Sequence, residues 1–420
     1  MLEKLVLKNV GPAPEMSLEF APRVNIITGD NGLGKSFILD VAWFALTGSW
    51  LQQSNLQMRH GGMARPNSNK EQSRIVFELS HFKSSYAFSR ESQKWLSATT
   101  SENHPKNDLI VQVCPDGEFG IFDLYRAGTF GFSGSEVWNG LTHFVTVWDG
   151  SNPQKKVVCN GLIHDWSHWL LEKGDSINQL EKALEILSPN ADEKLIATKS
   201  TRVSIDDVRD IPTLKMPYGQ EVPVTHASSG IKRIISIAYL LVWTWQEHLR
   251  AAELRQLEPS KKMVLLIDEL ENHLHPQWQR VILQSLLNVV KEIMQDDVEI
   301  QIIATTHSPL VMASLEPIFD TEKDAWFDLN LVNGTVQLEK MPWARRGGAE
   351  NWLMSEAFDL HSTGSKPREA MIEEASRIFD AVKPSKKKFL EVDKKLRAIL
   401  SDTDEFWDNW RFLGRKKGWL

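Results

Sequence analysis

The chain has 420 residues, of which 42% are hydrophobic and 25% are charged, and its net charge is −7. An acidic balance excludes a global electrostatic attraction to nucleic acid as the main binding mode, and the length predicts two or three domains. Two cysteines cannot form a disulfide framework, and the longest apolar stretch, residues 234–245, is shorter than the ~20 residues of a membrane span. We therefore expect a cytoplasmic protein without membrane contact.

The first predicted elements are two strands, a third strand and a helix. Residues 2–8 and 16–20 alternate apolar and polar side chains, and the apolar run 24–28 predicts a buried strand. A glycine-rich turn follows, and the apolar density of residues 36–47 predicts a buried helix. Strand, turn and helix in this order are the setting in which a glycine-rich turn binds phosphate.

The middle of the chain predicts short strands and helices. Residues 50–72 predict a loop, and strands are expected at residues 74–79, 85–89, 109–113, 120–123 and 144–148. A helical pattern over residues 165–187 breaks at Ser188-Pro189-Asn190. No heptad repeat extends beyond a few turns, which excludes long coiled-coil arms.

The second half predicts a long helix followed by two buried strands. The helix begins at Ser228 and extends to about residue 254, and the strands are expected at residues 262–268 and 299–305. A helix is predicted over residues 277–294, and a hairpin over 329–338. Residues 346–420 predict charged helices.

The turn after the third strand has the sequence GDNGLGKS, which fits the pattern G-x-x-x-x-G-K-[ST]. Its glycines let backbone N–H groups turn towards phosphate oxygens, the lysine reaches the β and γ phosphates, and the serine hydroxyl binds Mg²⁺. The predicted contacts with ATP are Gly29, Asn31, Gly32, Gly34, Lys35 and Ser36.

Two carboxylates follow the apolar run MVLLI, at the strand end where open α/β sheets bind ligands. Asp268 is expected to hold the hydrated Mg²⁺, and Glu269 to orient or deprotonate the attacking water. The alternative is a solvated acidic pair. The phosphate-binding loop upstream favours the catalytic interpretation.

A serine-glycine turn and a histidine have two interpretations each. Ser228, Ser229 and Gly230 precede the long helix, where small hydroxyl residues cap helices or bind an anion such as a γ-phosphate. His307 closes the strand 299–305 and is either a structural histidine or a hydrogen-bond partner of the γ-phosphate and the water. The i, i+2 spacing of His273 and His275 does not favour a metal site.

The order of these motifs resembles that of ABC-type ATPase heads. GDNGLGKS, LLIDELENHLHP and ATTHSP are similar to the SMC and RecF-like branch, which includes OLD-type ATPase regions and the ATPases of anti-phage systems such as Septu and PARIS. The resemblance covers residues 1–50 and 225–312.

The resemblance implies an α/β fold: an ABC-type P-loop ATPase head with a mixed sheet and flanking helices, a helical middle lobe and a helical C-terminal extension. The expected domains are the first half of the ATPase lobe over residues 1–125, an inserted lobe of strands and helices over 126–225, the second half of the ATPase lobe over 226–345, and the C-terminal extension over 346–420.

The resemblance also implies residue roles. Lys35, Glu269 and His307 are the implied catalytic residues, Asp268 is the Walker B aspartate, and residues 272–276 are the D-loop. Residues 228–231 match the signature LSGGQ only loosely, and in the family this motif completes the ATP site of the opposite protomer. The candidates for the Q-loop glutamine are Gln52, Gln53, Gln57 and Gln72.

Three functions remain open at this point. The leading one is an ATPase that dimerises around ATP and controls a separately encoded effector, such as a nuclease, in anti-phage defence. The second is a RecF-like repair ATPase that binds nucleic acid through the basic stretch 383–397 and Trp407, Trp410 and Trp419, although such a stretch is more often a solvated helix face. A built-in nuclease is disfavoured, because no apolar strand leads to a metal-binding pair with Asp402-Thr403-Asp404.

Overall fold

The computed structural model describes most of the chain. The described residues are 1–68, 71–80, 82–97, 109–126, 128–145, 154–295, 298–360, 362–379 and 385–419. They divide into two compact units, Met1–Trp352 and Leu353–Leu420. The domain boundaries that we expected within the first unit stay predictions.

The strands and helices are numbered in chain order. The strands are β1 (Leu2–Lys8), β2 (Glu15–Glu19), β3 (Val24–Gly29), β4 (Arg74–Leu79), β5 (Phe82–Ser89), β6 (Lys94–Ser97), β7 (Leu109–Val113), β8 (Phe119–Asp123), β9 (Gly128–Phe132), β10 (Leu141–Val145), β11 (Gln154–Cys159), β12 (Ile196–Arg202), β13 (Asp210–Lys215), β14 (Glu221–Pro223), β15 (Lys262–Ile267), β16 (Glu299–Thr305), β17 (Asp324–Val332) and β18 (Thr335–Met341). The helices are α1 (Lys35–Thr47), α2 (Gly134–Asn139), α3 (Leu162–Glu172), α4 (Asp175–Ile186), α5 (Ser229–Arg255), α6 (Pro276–Gln279), α7 (Ile282–Met294), α8 (Pro309–Leu315), α9 (Ala349–Leu353), α10 (Lys366–Phe379), α11 (Lys386–Ile399) and α12 (Phe406–Lys416).

The first unit is built on an eight-stranded mixed sheet with the order β18-β17-β3-β16-β15-β7-β8-β9. The five central strands from β17 to β7 are parallel, and the flanking strands pair antiparallel. Because β3, β16 and β15 are neighbours, their carboxyl ends meet at one edge of the sheet. This adjacency brings the three predicted motifs together.

The helix α1 packs with one side on the eight-stranded sheet and with the other side on a second, antiparallel sheet, which has the order β2-β1-β4-β5-β6. One hydrophobic cluster contains Leu5 of β1, Trp43 of α1, Phe77 of β4 and Leu266 of β15. The helix after the phosphate-binding loop is therefore enclosed by both sheets, which explains why it is apolar on nearly all sides.

Two predicted helices are interrupted. The pattern over residues 165–187 forms α3 and α4, because Lys173 takes a left-handed conformation (φ 54°) before Gly174. The pattern over residues 277–294 forms α6 and α7, with a break at Val281 (φ −126°). The strand predicted at 144–148 is β10, and residues 146–148 lie outside the described residues.

The second unit contains α10, α11 and α12 around an aromatic core. Phe389 stacks on Trp410 with ring centroids 4.2 Å apart, and Trp407 is also buried. These two tryptophans are therefore not available for stacking on nucleic-acid bases, contrary to the second hypothesis. The mixed sheet, its flanking helices and the helical C-terminal region confirm the predicted fold class. None of the helices in the described residues combines the length and apolar character that crossing a membrane requires.

Candidate nucleotide-binding site

The phosphate-binding loop joins β3 to α1 in the predicted manner. Gly34 has φ 101°, and a Cβ at this position would lie 2.5 Å from Cγ of Pro12, so only glycine fits. Gly32 has φ 80°, and an added Cβ would meet no atom within 4 Å. Asn31 and Ser36 are exposed. The loop therefore has a tightly packed inner side and an accessible outer side.

Lys35 is folded into this loop. Its side chain is buried, and Nζ donates hydrogen bonds to the carbonyl oxygens of Gly29 and Asp30, each at 2.8 Å. Burial lowers the pKa of Lys35, and the carboxylates of Asp268 and Glu269 act in the opposite direction. The ammonium group thus lies close to the predicted Walker B carboxylates.

Thr305, at the end of β16, fixes the two carboxylate residues that follow β15. Its hydroxyl donates to Oδ1 of Asp268 at 2.6 Å and accepts from the backbone N–H of Glu269 at 2.8 Å. Asp268 is buried, whereas Glu269 is half-buried and has a left-handed backbone (φ 47°). A left-handed non-glycine residue is strained, and neighbouring contacts must hold it. The threonine is one of these contacts, and our sequence analysis did not assign it a role.

Glu271 is a second residue that the sequence analysis missed. Its carboxylate accepts a hydrogen bond from the hydroxyl of Thr306 and another from the backbone N–H of His307, each at 2.6 Å. His307 is half-buried, and its pKa is lowered by burial and by the neighbouring Lys35. Glu271 therefore ties the histidine loop to the turn after Glu269. The only sequence signal was a third carboxylate in LLIDELEN.

Arg233 connects α5 to two strand ends. This buried guanidinium donates to the carbonyl oxygens of Cys114 and Pro115 after β7, at 3.2 and 3.0 Å. Its other terminal nitrogen donates to the carbonyl oxygens of Asp268 and Glu269, both at 3.1 Å. A single arginine on an apolar helix face was the sequence signal. Any movement of α5 is thereby coupled to the backbone of the Walker B residues.

The predicted signature residues lie at the start of α5. Ser228 caps the helix by accepting from the backbone N–H of Ile231 at 3.5 Å, and Ser229 is exposed. A Cβ on Gly230 would lie 2.6 Å from the carbonyl oxygen of His273. The glycine therefore allows α5 to pack against the predicted D-loop. Contact of Ser228, Ser229 and Gly230 with the ATP of a second protomer stays a prediction.

A buried glutamine that was not among the Q-loop candidates lies beside the site. Gln112 on β7 donates to Oδ1 of Asp40 at 3.2 Å, and Asp40 is one helical turn after Ser36. Burial raises the pKa of Asp40 to about 7, while the hydrogen bond from Gln112 partly opposes the shift. Gln52, one of the candidates, donates instead to the carbonyl oxygen of Met58 at 2.9 Å. The four candidates for the Q-loop glutamine stay predictions.

Potential metal ligands also meet at His60, Asp116 and Glu118. Nδ1 of His60 lies 3.3 Å from Oδ1 of Asp116 and 3.2 Å from Oε2 of Glu118. The Glu118 carboxylate already accepts from the backbone N–H groups of Arg59 and His60, at 2.9 and 3.2 Å. These bonds explain the cluster as an anchor for the loop after α1.

Comparison with known proteins agrees with this geometry. Residues 4–118 match a family model described as an AAA domain, and residues 150–312 match one described as an AAA ATPase domain. The two matched segments contain the phosphate-binding loop and the carboxylate and histidine motifs, respectively. Both segments that carry the predicted ATP site are thus similar to ATPase domains.

Individual known proteins are also similar to this chain. A retron Vc95 probable ATPase from Vibrio cholerae serotype O1 biovar El Tor is 27% identical over 160 residues, which are 35% of this chain and 27% of the relative. A Septu protein PtuA from Bacillus thuringiensis is 22% identical over 321 residues, or 74% of this chain and 72% of the relative. An SMC head domain from Thermotoga maritima has a TM-score of 0.36 at 16% identity, covering 81% of this chain and 99% of that one.

The sequence relatives confirm the predicted resemblance to ATPases of defence systems, since retron and Septu proteins are among them. The chain nevertheless spans about a quarter of the length of the retron relative, 27%. What the complete relatives do is therefore a starting point for proposals about this chain.

Proposed function

We propose that this chain is an SMC-like ABC ATPase that binds and hydrolyses ATP as a nucleotide-sandwich dimer, and that it controls a separately encoded effector, such as a nuclease, in bacterial anti-phage defence. One observation carries the proposal: the adjacent strands β3, β16 and β15 end in the phosphate-binding loop, the histidine loop and the carboxylate pair. A phosphoryl-transfer site requires these groups within one hydrogen-bonded network.

The residues have complementary roles in hydrolysis. The backbone N–H groups of the loop and the ammonium group of Lys35 bind the phosphates of ATP. Lys35 must then give up its hydrogen bonds to the carbonyl oxygens of Gly29 and Asp30. Glu269 accepts a proton from the attacking water, and His307 hydrogen-bonds the γ-phosphate. The Ser36 hydroxyl and the buried Asp268 carboxylate are hard oxygen donors that fit Mg²⁺, which would neutralise charge on the phosphates.

The second protomer contributes the start of α5. Ser229 is exposed there, as a residue that contacts the ATP of another chain must be. Closure of the dimer displaces α5. Because Arg233 on this helix is hydrogen-bonded to the carbonyl oxygens of Asp268 and Glu269, these residues move with it. Hydrolysis and dimer opening are then coupled through one buried side chain. The loose signature predicts weaker ATP-driven closure than a full LSGGQ motif supports.

The role in defence rests on the homologues. A retron ATPase is similar to this chain over 160 residues and a Septu protein over 321 residues. An ATPase that changes between an open and a closed state can control a partner only if the partner binds the two states with different affinity. We therefore propose that the effector distinguishes the ATP-bound dimer from the open form.

The test uses Glu269→Gln, which removes the base but keeps the size of the side chain. The purified variant should bind ATP, hydrolyse it at least about a hundredfold more slowly than the wild type, and accumulate as a dimer or a larger complex. Native mass spectrometry with and without ATP measures the bound nucleotide and the mass of the assembly, and phosphate release measures the rate of hydrolysis. Lys35→Ala is the matched control, because it should neither bind ATP nor change mass. A variant that binds ATP and stays monomeric would refute the sandwich dimer.

A further inference from the structure

A cavity with a volume of about 400 Å³ lies beside the C-terminal end of α5, whereas the predicted signature residues lie at the start of this helix. We call it the α5 cleft, and its lining includes Tyr125, Arg126, Phe130, Lys156, Arg250 and Arg255. At 1.5 Å per residue, the helix separates Ser229 from Arg250 by about 30 Å. The α5 cleft is therefore distinct from the ATP site.

The α5 cleft carries an excess of positive charge. Four of its lining residues are cations: Arg126, Lys156, Arg250 and Arg255. Among the described residues that line the cleft, Glu247 is the one carboxylate, and it lies 2.7 Å from Arg250 and 3.7 Å from Arg126. One carboxylate cannot balance four cations, so the α5 cleft attracts an anion although the chain as a whole is acidic.

The other wall of the α5 cleft is apolar. Val157 and Leu254 line it, and their side chains are 57% and 86% exposed. Ala251 and the ring of Phe130 complete this wall. A cavity with one cationic and one apolar wall fits a ligand that has an anionic group and a flat, weakly polar body.

Arg126, in the lining of the α5 cleft, is held in position before any ligand binds. Its guanidinium lies over the rings of Phe130 and Trp243, 4.8 and 4.4 Å from the centroids, and donates to the carbonyl oxygen of Val158 at 3.1 Å. Nη1 of Arg126 has no hydrogen-bond partner among the described residues. The Arg126 side chain as a whole is 13% exposed, so a ligand in the cleft meets a guanidinium that is already held in position.

Tyr125 is also held in place. Its ring stacks on His248 with centroids 4.7 Å apart, and its hydroxyl donates to the carbonyl oxygen of Glu258 at 2.9 Å. A fixed aromatic ring beside a fixed guanidinium loses little conformational entropy when a ligand binds.

We propose that the α5 cleft is a second, non-catalytic nucleotide site that binds one nucleoside phosphate, with the phosphate on the cations and the base against the apolar wall. The ligand is either a free mononucleotide or the terminal unit of a single strand, since both present the same chemistry. This site does not depend on ATP hydrolysis, and it lies on the helix that we expect to move with the dimer.

The test measures nucleotide binding while the ATP site is saturated with ATPγS and Mg²⁺. Fluorescent mant-AMP and a labelled, 5′-phosphorylated strand of eight thymidines are titrated separately into the full chain at low salt. The variant Arg250→Ala/Arg255→Ala should weaken binding at least about tenfold, because each lost arginine removes a charge-assisted contact with phosphate. The control Lys215→Ala/Lys291→Ala removes two exposed lysines elsewhere and should stay within about twofold of the wild type.

The outcomes separate the alternatives. Loss of mant-AMP binding in the cleft variant supports a free nucleotide, and loss of strand binding alone supports a strand end. If the wild type binds neither probe, or if the cleft and control variants bind equally well, the proposal is overturned.

Discussion

Asp40 makes the stability of the first unit depend on pH near neutrality. The carboxyl lies on α1 beside Gln112, and burial raises its pKa from 3.8 to about 7. Because the folded pKa is above the unfolded one, the folded protein binds the extra proton. The stability that the protonated Asp40 carboxyl contributes is fully present below pH 3.8 and is lost as the pH rises through about 7. Asp40→Asn keeps a neutral side chain at every pH and removes this loss.

The magnitude follows from the two pKa values. One pKa unit corresponds to about 1.4 kcal/mol, so the free energy of unfolding of Asp40→Asn should rise relative to the wild type by about 2 kcal/mol between pH 5 and pH 7. Urea denaturation of both proteins at pH 5, 6 and 7 measures this difference.

Asp207→Asn is the control for this experiment. The neighbouring Arg209 lowers the pKa of Asp207 to about 2, so its contribution to stability is already complete at pH 5 and does not change up to pH 7. A difference in the free energy of unfolding between Asp40→Asn and the wild type that is constant from pH 5 to pH 7 would refute the raised pKa of this half-buried carboxyl.

Two further substitutions test the contacts around the site. Glu271→Gln should slow ATP hydrolysis by about tenfold or more with little change in ATP affinity, because it weakens charge-assisted hydrogen bonds to Thr306 and His307. In steady-state assays the control Thr306→Ser should stay active, and unchanged turnover in Glu271→Gln would contradict the positioning role. Gly230→Ala should destabilise the protein by about 1–3 kcal/mol in urea denaturation, since its Cβ would lie 2.6 Å from the carbonyl oxygen of His273. The control Gly348→Ala has open space for its Cβ and should change stability by less than about 0.5 kcal/mol, so equal effects of the two substitutions would disprove the close packing of α5.

The local elements could be predicted from the sequence because their signals are local. β1, β4, β7 and β16 have the predicted bounds, since alternation or an apolar run of the right length is sufficient to define a strand. The phosphate-binding loop was also predictable, because its glycines, lysine and serine are consecutive residues of a single turn. The breaks after α3 and α6 were missed, since amphipathic periodicity continues across a short interruption.

The tertiary structure alone decided which residues support the predicted ones. The supporting residues bond to backbone groups in the loops after β15 and β16, and no sequence spacing specifies such partners. They are Thr305, Glu271 and Arg233. The tryptophans show the same limit: the sequence of α12 is compatible with a nucleic-acid surface or a core, and packing against Phe389 places Trp410 in the core. The sequence by itself determined the chemistry at the ends of β3, β15 and β16. Pairing of β16 between the other two strands determined that this chemistry forms one site, because the hydrogen bonds between strands join residues far apart in the chain.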